Sequence, residues 1–150
     1  MSSVAVRDAV LEFLEAESDE DVVVLDADVD ELKDLLAENS IQPDAPWLGV
    51  QFVGDGEEPV GLSADNTHGK YRERGGIYFH IVAAGTIGVG DSILSRGETL
   101  RNLLRGRRID GEVVIESMST VNFGNGATLE FEGGYVSGTF FITYHRDLDL

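Results

Sequence analysis

The 150-residue sequence predicts one α+β domain, a mostly antiparallel sheet packed by N-terminal helices and one central amphipathic helix. Three observations carry that expectation. The stretch GGIYFHIVAAGTIGVGDSILSRGETLRNLLRGRR, Gly75–Arg108, reads as a buried strand, a glycine loop and an amphipathic helix ending in arginines. Other helical periodicity falls ahead of Pro43, and strand-like runs separated by turn residues fill the chain after Arg108. Asn125-Gly126 between two such runs is a hairpin signal, which makes pairing in the C-terminal half antiparallel.

Composition narrows the functional classes. At 42% hydrophobic the chain can bury one core. The absence of cysteine excludes a disulfide scaffold, a thiolate metal site and a cysteine nucleophile. No apolar run approaches the roughly 20 residues that cross a membrane. The start, MSSVAVRDAVLEFLEAE, has acids where a signal peptide is basic and then apolar, so a protein that stays inside the cell making it is expected. Twenty-eight acids face eleven bases, a net charge of -17, and only Lys33 and Lys70 are lysines. Nucleic-acid binding through a basic face is therefore not expected. Acid excess with scarce lysine also fits a salt-loaded cytoplasm, where ionic strength screens self-repulsion, and a halophilic source is expected. The plainer alternative is an ordinary acidic domain kept soluble by its charge.

In chain order, residues 4–16 form a first helix with Val6, Ala9, Val10, Phe13 and Leu14 on one stripe and Ser2 or Ser3 as cap. Glu17–Asp21 is an acidic turn, and Val22–Leu25 is either a strand or the lead-in to a helix. A second helix over Val29–Glu38 has Asp28 as cap and Leu32, Leu35 and Leu36 inside. Residues 1–40 hold thirteen acids against two bases, so these helices form an acidic outer layer. After Pro43 and Pro46, Trp47–Val53 is the first sheet strand. Residues 54–74, rich in glycine and charge, are expected to be a long polar loop, disordered or functional.

The strand from Ile77 to Ala83 is expected at the sheet centre because both of its alternating sets are largely apolar. In the following helix Asp91 or Ser92 is the expected cap, and Ile93, Gly97, Leu100 and Leu104 share a face. Gly97 in mid-helix costs roughly 1 kcal/mol relative to alanine, which points to close backbone packing against the sheet. Gly106 sits where a left-handed C-terminal cap belongs. Further strands are expected over Glu112–Met118, Val121–Phe123, Thr128–Glu132 and Tyr135–His145, the last with Val136, Phe140, Ile142 and Tyr144 on one face.

No motif yields a catalytic constellation, and no enzyme is expected. Gly85–Gly90 lies between strand and helix but lacks the Walker lysine, and Ile93 stands where the dinucleotide fingerprint needs glycine. Asp26, Asp28 and Asp30 resemble the start of a calcium loop, yet its sixth and twelfth positions are Glu31 and Ala37. His68, His80 and His145 are not at metal-ligand spacing. No cofactor or metal site is expected. One positive surface stands out: Arg96, Arg101, Arg105, Arg107 and Arg108, interrupted by a single acid, Glu98. It serves either the negative end of the helix dipole or a subunit contact in which these arginines meet a neighbour's acidic face.

The order and turn residues of the chain resemble the tail terminator (tail completion) proteins of long-tailed phages and archaeal tailed viruses. The match runs over about residues 43–146. It comprises PWLGVQF, a polar segment ending Tyr71-Arg72-Glu73-Arg74-Gly75, the strand GIYFHIV, the helix LRNLLRGRRI, GEVVIES and the closing GGYVSGTFFITY. Residues 18–40 look like an acidic helical insertion in that pattern. The resemblance implies a subunit of a hexameric ring that caps the tail tube and joins it to the head. Its partners would be the tail tube protein and a head-neck connector, and double-stranded DNA would pass through the lumen without specific binding. It would be found in the virion tail or neck, assembled in the cytoplasm of a halophilic host. Within that reading Asp55, Glu57, Glu58, Asp65, His68, Lys70, Arg72 and Arg74 form a candidate partner-contact loop. The alternatives are another neck or tail component, such as a head-closure or tube protein, and more distantly a halophilic small-molecule-binding domain or enzyme.

Overall fold

The computed structural model describes residues 4–20, 22–24, 46–62, 69–84, 89–123 and 135–149. Val4–Glu17 is helix α1, and Val6, Val10 and Leu14, spaced by four, are fully buried while Ala9 and Phe13 pack at the margin. The expected Ser2 and Ser3 caps, the helix over 29–38 and Asp26, Asp28 and Asp30 lie outside the described residues. Val22–Val24 is strand β1, which resolves the ambiguity of that apolar run. It pairs in parallel with β2 (Trp47–Leu62) through Leu48–Val50.

Strand β3 (Gly69–Ala84) is central, as its two apolar sets require. It pairs antiparallel with β2 from Trp47 opposite Val82 to Leu62 opposite Gly69. On its other side it pairs antiparallel with β7 (Tyr135–Asp149), from Ala84 opposite Tyr135 to Lys70 opposite Asp149. Helix α2 (Val89–Leu104) and the short strands β4 (Arg108–Ile109), β5 (Val113–Met118) and β6 (Asn122–Phe123) lie between β3 and β7 in sequence. The described sheet runs β1-β2-β3-β7-β5-β4, with β6 also on β7, and every pairing except β1–β2 is antiparallel. This is the α+β architecture expected from the sequence.

One hydrophobic core joins α1 and α2 to one face of the sheet. Ile77, Phe79 and Ile81 of β3, Phe140, Ile142 and Tyr144 of β7, and Leu48 and Val50 of β2 meet Ile93, Leu100 and Leu104 of α2. Positions on the other face of the central strands, Trp47, His80 and Val82, are buried as well. Phe79 and Phe140 stack with ring centres 4.9 Å apart across the β3–β7 ladder. Such an aromatic pair adds about 0.5–1.5 kcal/mol beyond its buried area. Gly75 gives Tyr144 its place: a Cβ there would stand 2.5 Å from the tyrosine oxygen.

Two expectations are corrected. The polar stretch 54–74 is not a long loop, for Gly54–Leu62 continues β2 and Gly69–Arg74 opens β3, each residue range paired in the ladder. Only 63–68, with Asp65 and His68, falls outside the described residues. The segment lacks an apolar stripe because the described core stops at Phe52, Ile77 and Tyr144. Beyond that level the three strands are held by backbone bonds and charged cross-strand pairs, each of the latter contributing roughly 0.2–1 kcal/mol. Helix α2 also starts earlier than expected, at Val89, so Asp91 is a first-turn acid suited to the dipole and neither Asp91 nor Ser92 is the cap.

The remaining helix signals hold. Ile93, Gly97, Leu100 and Leu104 are the buried face of α2. Gly106 is left-handed, φ 66°, and the Arg107 amide donates to the Leu104 carbonyl at 3.1 Å. The expected strand over 128–132 and its Asn125-Gly126 turn lie outside the described residues, whereas β7 continues past His145 to Asp149.

Candidate subunit interface

The five arginines read together from the sequence divide in the fold. Arg96 turns toward the acidic turn after α1 and donates to both oxygens of Glu20, at 2.7 and 2.8 Å. Arg101 is mostly buried, donating to Glu98 at 2.6 Å and to the Ser119 carbonyl at 2.9 Å. Arg107 lies over the Phe13 ring, 5.5 Å from its centre, and donates to the Leu103 carbonyl at 3.0 Å. These three tie α2 to α1, to the segment after β5 and to its own last turn. Arg108 in the edge strand β4 is exposed; it donates to the Gly111 carbonyl at 3.5 Å, and its charge acts on Asp147. Arg105 is exposed, and its side chain has no hydrogen-bond or ion-pair partner among the described residues.

A cavity of about 570 Å³ opens between the end of α1 and α2, with Glu17, Glu20, Ser95, Arg96, Thr99 and Arg107 in its wall. The Glu20–Arg96 pair and the Phe13–Arg107 contact already engage its two cations.

The candidate partner-contact residues also separate. Asp55, Glu57 and Glu58 lie in the second half of β2, and Lys70, Arg72 and Arg74 at the start of β3. Arg72 forms a forked pair with Asp147, directly opposite on β7, at 2.8 and 3.1 Å. Donation by Arg72 and its charge hold the Asp147 carboxyl below the usual carboxylate range. Arg74 donates to both oxygens of Glu116, and the same carboxylate takes His145. Arg146 reaches Glu112 at 3.1 Å. Glu57 is exposed and stands opposite Glu73, which is itself buried.

The two described histidines, His80 and His145, do not converge. His80 pairs with Thr139 across the ladder, whereas His145 pairs with Arg74 six positions away, a separation of roughly 20 Å along the strands. His80 is fully buried, its Nδ1 2.8 Å from the Thr139 hydroxyl and its Nε2 3.4 Å from Gln51 Oε1. Burial lowers its pKa to about 4, so it is neutral at pH 7. Among the described residues no three His, Cys, Asp or Glu side chains are grouped to hold a metal ion, and no helix is long and apolar enough to cross a membrane.

Several of these relationships escape sequence reasoning. Glu20 and Arg96, and Arg74 with Glu116, are far apart along the chain, and nothing local marks them as partners. His80 did carry a signal, as a polar residue inside an apolar strand. Compared with known proteins, the chain matches no protein-family model and no curated protein.

Proposed function

We propose that the chain is a structural virion protein, a tail terminator that assembles as a ring on the tail tube and joins the tail to the head. The observation that carries the reading is the pair Arg105 and Arg108. They stand exposed at the end of α2 and on the edge strand β4, in a chain of net charge -17, and Arg105 lacks a counter-ion among the described residues. An exposed cation such as Arg105 on one edge of an acidic protein suits contact with an acidic neighbour. A head-to-tail contact of that kind closes into a ring when its rotation allows, and the resemblance to tail terminators implies six copies. An acidic lumen would repel DNA phosphates and let the genome pass without sticking.

The remaining partners in this reading are the tail tube protein below the ring and a head-neck connector above it. The test is solution mass by light scattering in molar salt, for the chain alone and with tail tube protein. A ring-sized species in either sample supports a terminator. A strict monomer in both overturns it.

A further inference from the structure

Helix α2 presents two unlike flanks. At roughly 100° per residue, Arg96, Thr99 and Leu103 lie nearly opposite Leu94, Glu98, Arg101 and Arg105. Side-chain contacts fix what each flank meets. Arg96 bonds Glu20 in the turn after α1 and Arg107 covers Phe13, whereas Arg101 bonds the Ser119 carbonyl beyond β5. Arg105 follows Arg101 on that second flank. Its amide donates to the Arg101 carbonyl at 2.9 Å, which carries the last helical turn past Leu104.

The cavity of about 570 Å³ lies on the first flank, between α2 and the end of α1. Among the described residues its wall holds three carboxylates, Glu17, Asp19 and Glu20, against two guanidiniums, Arg96 and Arg107. Arg96 takes Glu20 through both oxygens, and Arg107 turns to Phe13 and the Leu103 carbonyl. Glu17 and Asp19 are exposed, and neither side chain has a hydrogen-bond or ion-pair partner among the described residues. Their backbone is held in place. The Ser18 amide donates to the Leu14 carbonyl at 2.9 Å, and the Ser18 hydroxyl accepts from the Glu20 amide at 3.1 Å. The C-terminal end of a helix carries about half a negative charge. Helix α1 has no basic residue in its last turn, and Glu17 and Asp19 add charge of the same sign there. A cation entering the cavity relieves that accumulation.

We infer that this cation is Arg105 of a second copy of the chain. Arg105 is exposed and has no partner among the described residues, and the negative end of its own helix is already met by Arg107 at the Leu103 carbonyl. The described wall has one negative charge in excess, which one guanidinium neutralises, and the fork of N–H donors on arginine serves two carboxylates at once. Cavity and arginine lie on opposite flanks of α2, so the contact is heterologous: each copy offers its cavity to one neighbour and its Arg105 to the other. A two-fold contact of cavity with cavity would set acids against acids. This inference rests on the ring reading and names the surfaces that build the ring.

Two variants divide the contact. Arg105→Gln keeps the cavity and removes the arginine, while Glu17→Gln with Asp19→Asn keeps the arginine and neutralises the cavity. All three positions are exposed, and circular dichroism checks that each chain is folded. In the salt at which the wild-type chain assembles, light scattering is expected to show self-association roughly tenfold weaker for either variant alone. An equimolar mixture is expected to form heterodimers and nothing larger, because the arginine of one variant meets the cavity of the other and the two remaining surfaces are disabled. Arg105→Glu combined with Glu17→Gln and Asp19→Arg in one chain is expected to recover assembly. Full assembly by either variant alone, or a mixture without heterodimer, overturns the pairing and leaves the ring reading standing. A wild-type chain that stays monomeric, alone and with tail tube protein, overturns both.

Discussion

Val121 fills the space that Gly97 leaves open on α2: a Cβ on that glycine would lie 2.5 Å from Val121 Cγ2 and 3.3 Å from Ile81 Cδ1. Gly138 on β7 serves the same valine from the sheet side, where a Cβ would stand 3.0 Å from Val121 Cγ1. Alanine at a helix interior is ordinarily favoured over glycine by roughly 1 kcal/mol. Overpacking a filled site costs about 1–3 kcal/mol. Gly97→Ala is therefore expected to lower stability, and to raise it by up to about 1 kcal/mol in a Val121→Ala background. Chemical denaturation of the four chains of that cycle checks it, and equal effects in both backgrounds would remove Val121 as the cause.

His80 predicts a pH dependence. Its folded pKa is about 4, below the unfolded value near 6.5, so between those limits the unfolded chain binds more protons. Stability contributed by the neutral ring is full above about pH 6.5 and is lost progressively as pH falls toward 4, by on the order of 3 kcal/mol. His80→Gln, which keeps hydrogen-bonding groups near Thr139 and Gln51, is expected to flatten that slope. Urea midpoints at pH 7, 5.5 and 4.5 measure it, and an unchanged slope would mean other groups dominate.

Arg105→Glu with Arg108→Glu is expected to weaken ring assembly and leave the monomer folded, since both side chains are exposed and neither supports the core. Circular dichroism and light scattering on the same sample separate the two effects. Unchanged assembly would retire the arginine edge as a contact.

The Arg72–Asp147 pair is exposed, its side chains retaining 29% and 55% of their accessibility. Asp147→Asn should consequently cost less than about 1 kcal/mol, and less again in molar salt. The Asp147 pKa is depressed in the fold, so its small contribution is present above the ordinary carboxylate value and fades as pH falls below it. A loss that does not shrink with salt would indicate that the substituted amide disturbs the ladder itself.

Periodicity made the packed part of this fold legible. Val6, Val10 and Leu14, and Ile93, Gly97, Leu100 and Leu104, are buried stripes in the structure as in the sequence. The double apolar alternation of Ile77–Ala83 announced a central strand. Where strands run past the core, that signal vanishes, because Glu57, Arg72 and Arg74 extend β2 and β3 with polar side chains, the two arginines held by Asp147 and Glu116. The arginine cluster was legible as composition and not as geometry. Its division depends on Glu20, Phe13 and Ser119, all supplied by other elements.

The central position of β3 sets an order of events during folding. Its partner β2 precedes it directly in the chain, but its other partner begins only at Tyr135, after α2 and three short strands. Closing that second ladder requires a long loop to be gathered before any pairing rewards it, so the rate-limiting step is expected in milliseconds to seconds. Until β7 arrives, Ile77, Phe79 and Ile81 sit on an open hydrophobic edge, and the same strand that organises the native sheet is the segment most exposed to premature association.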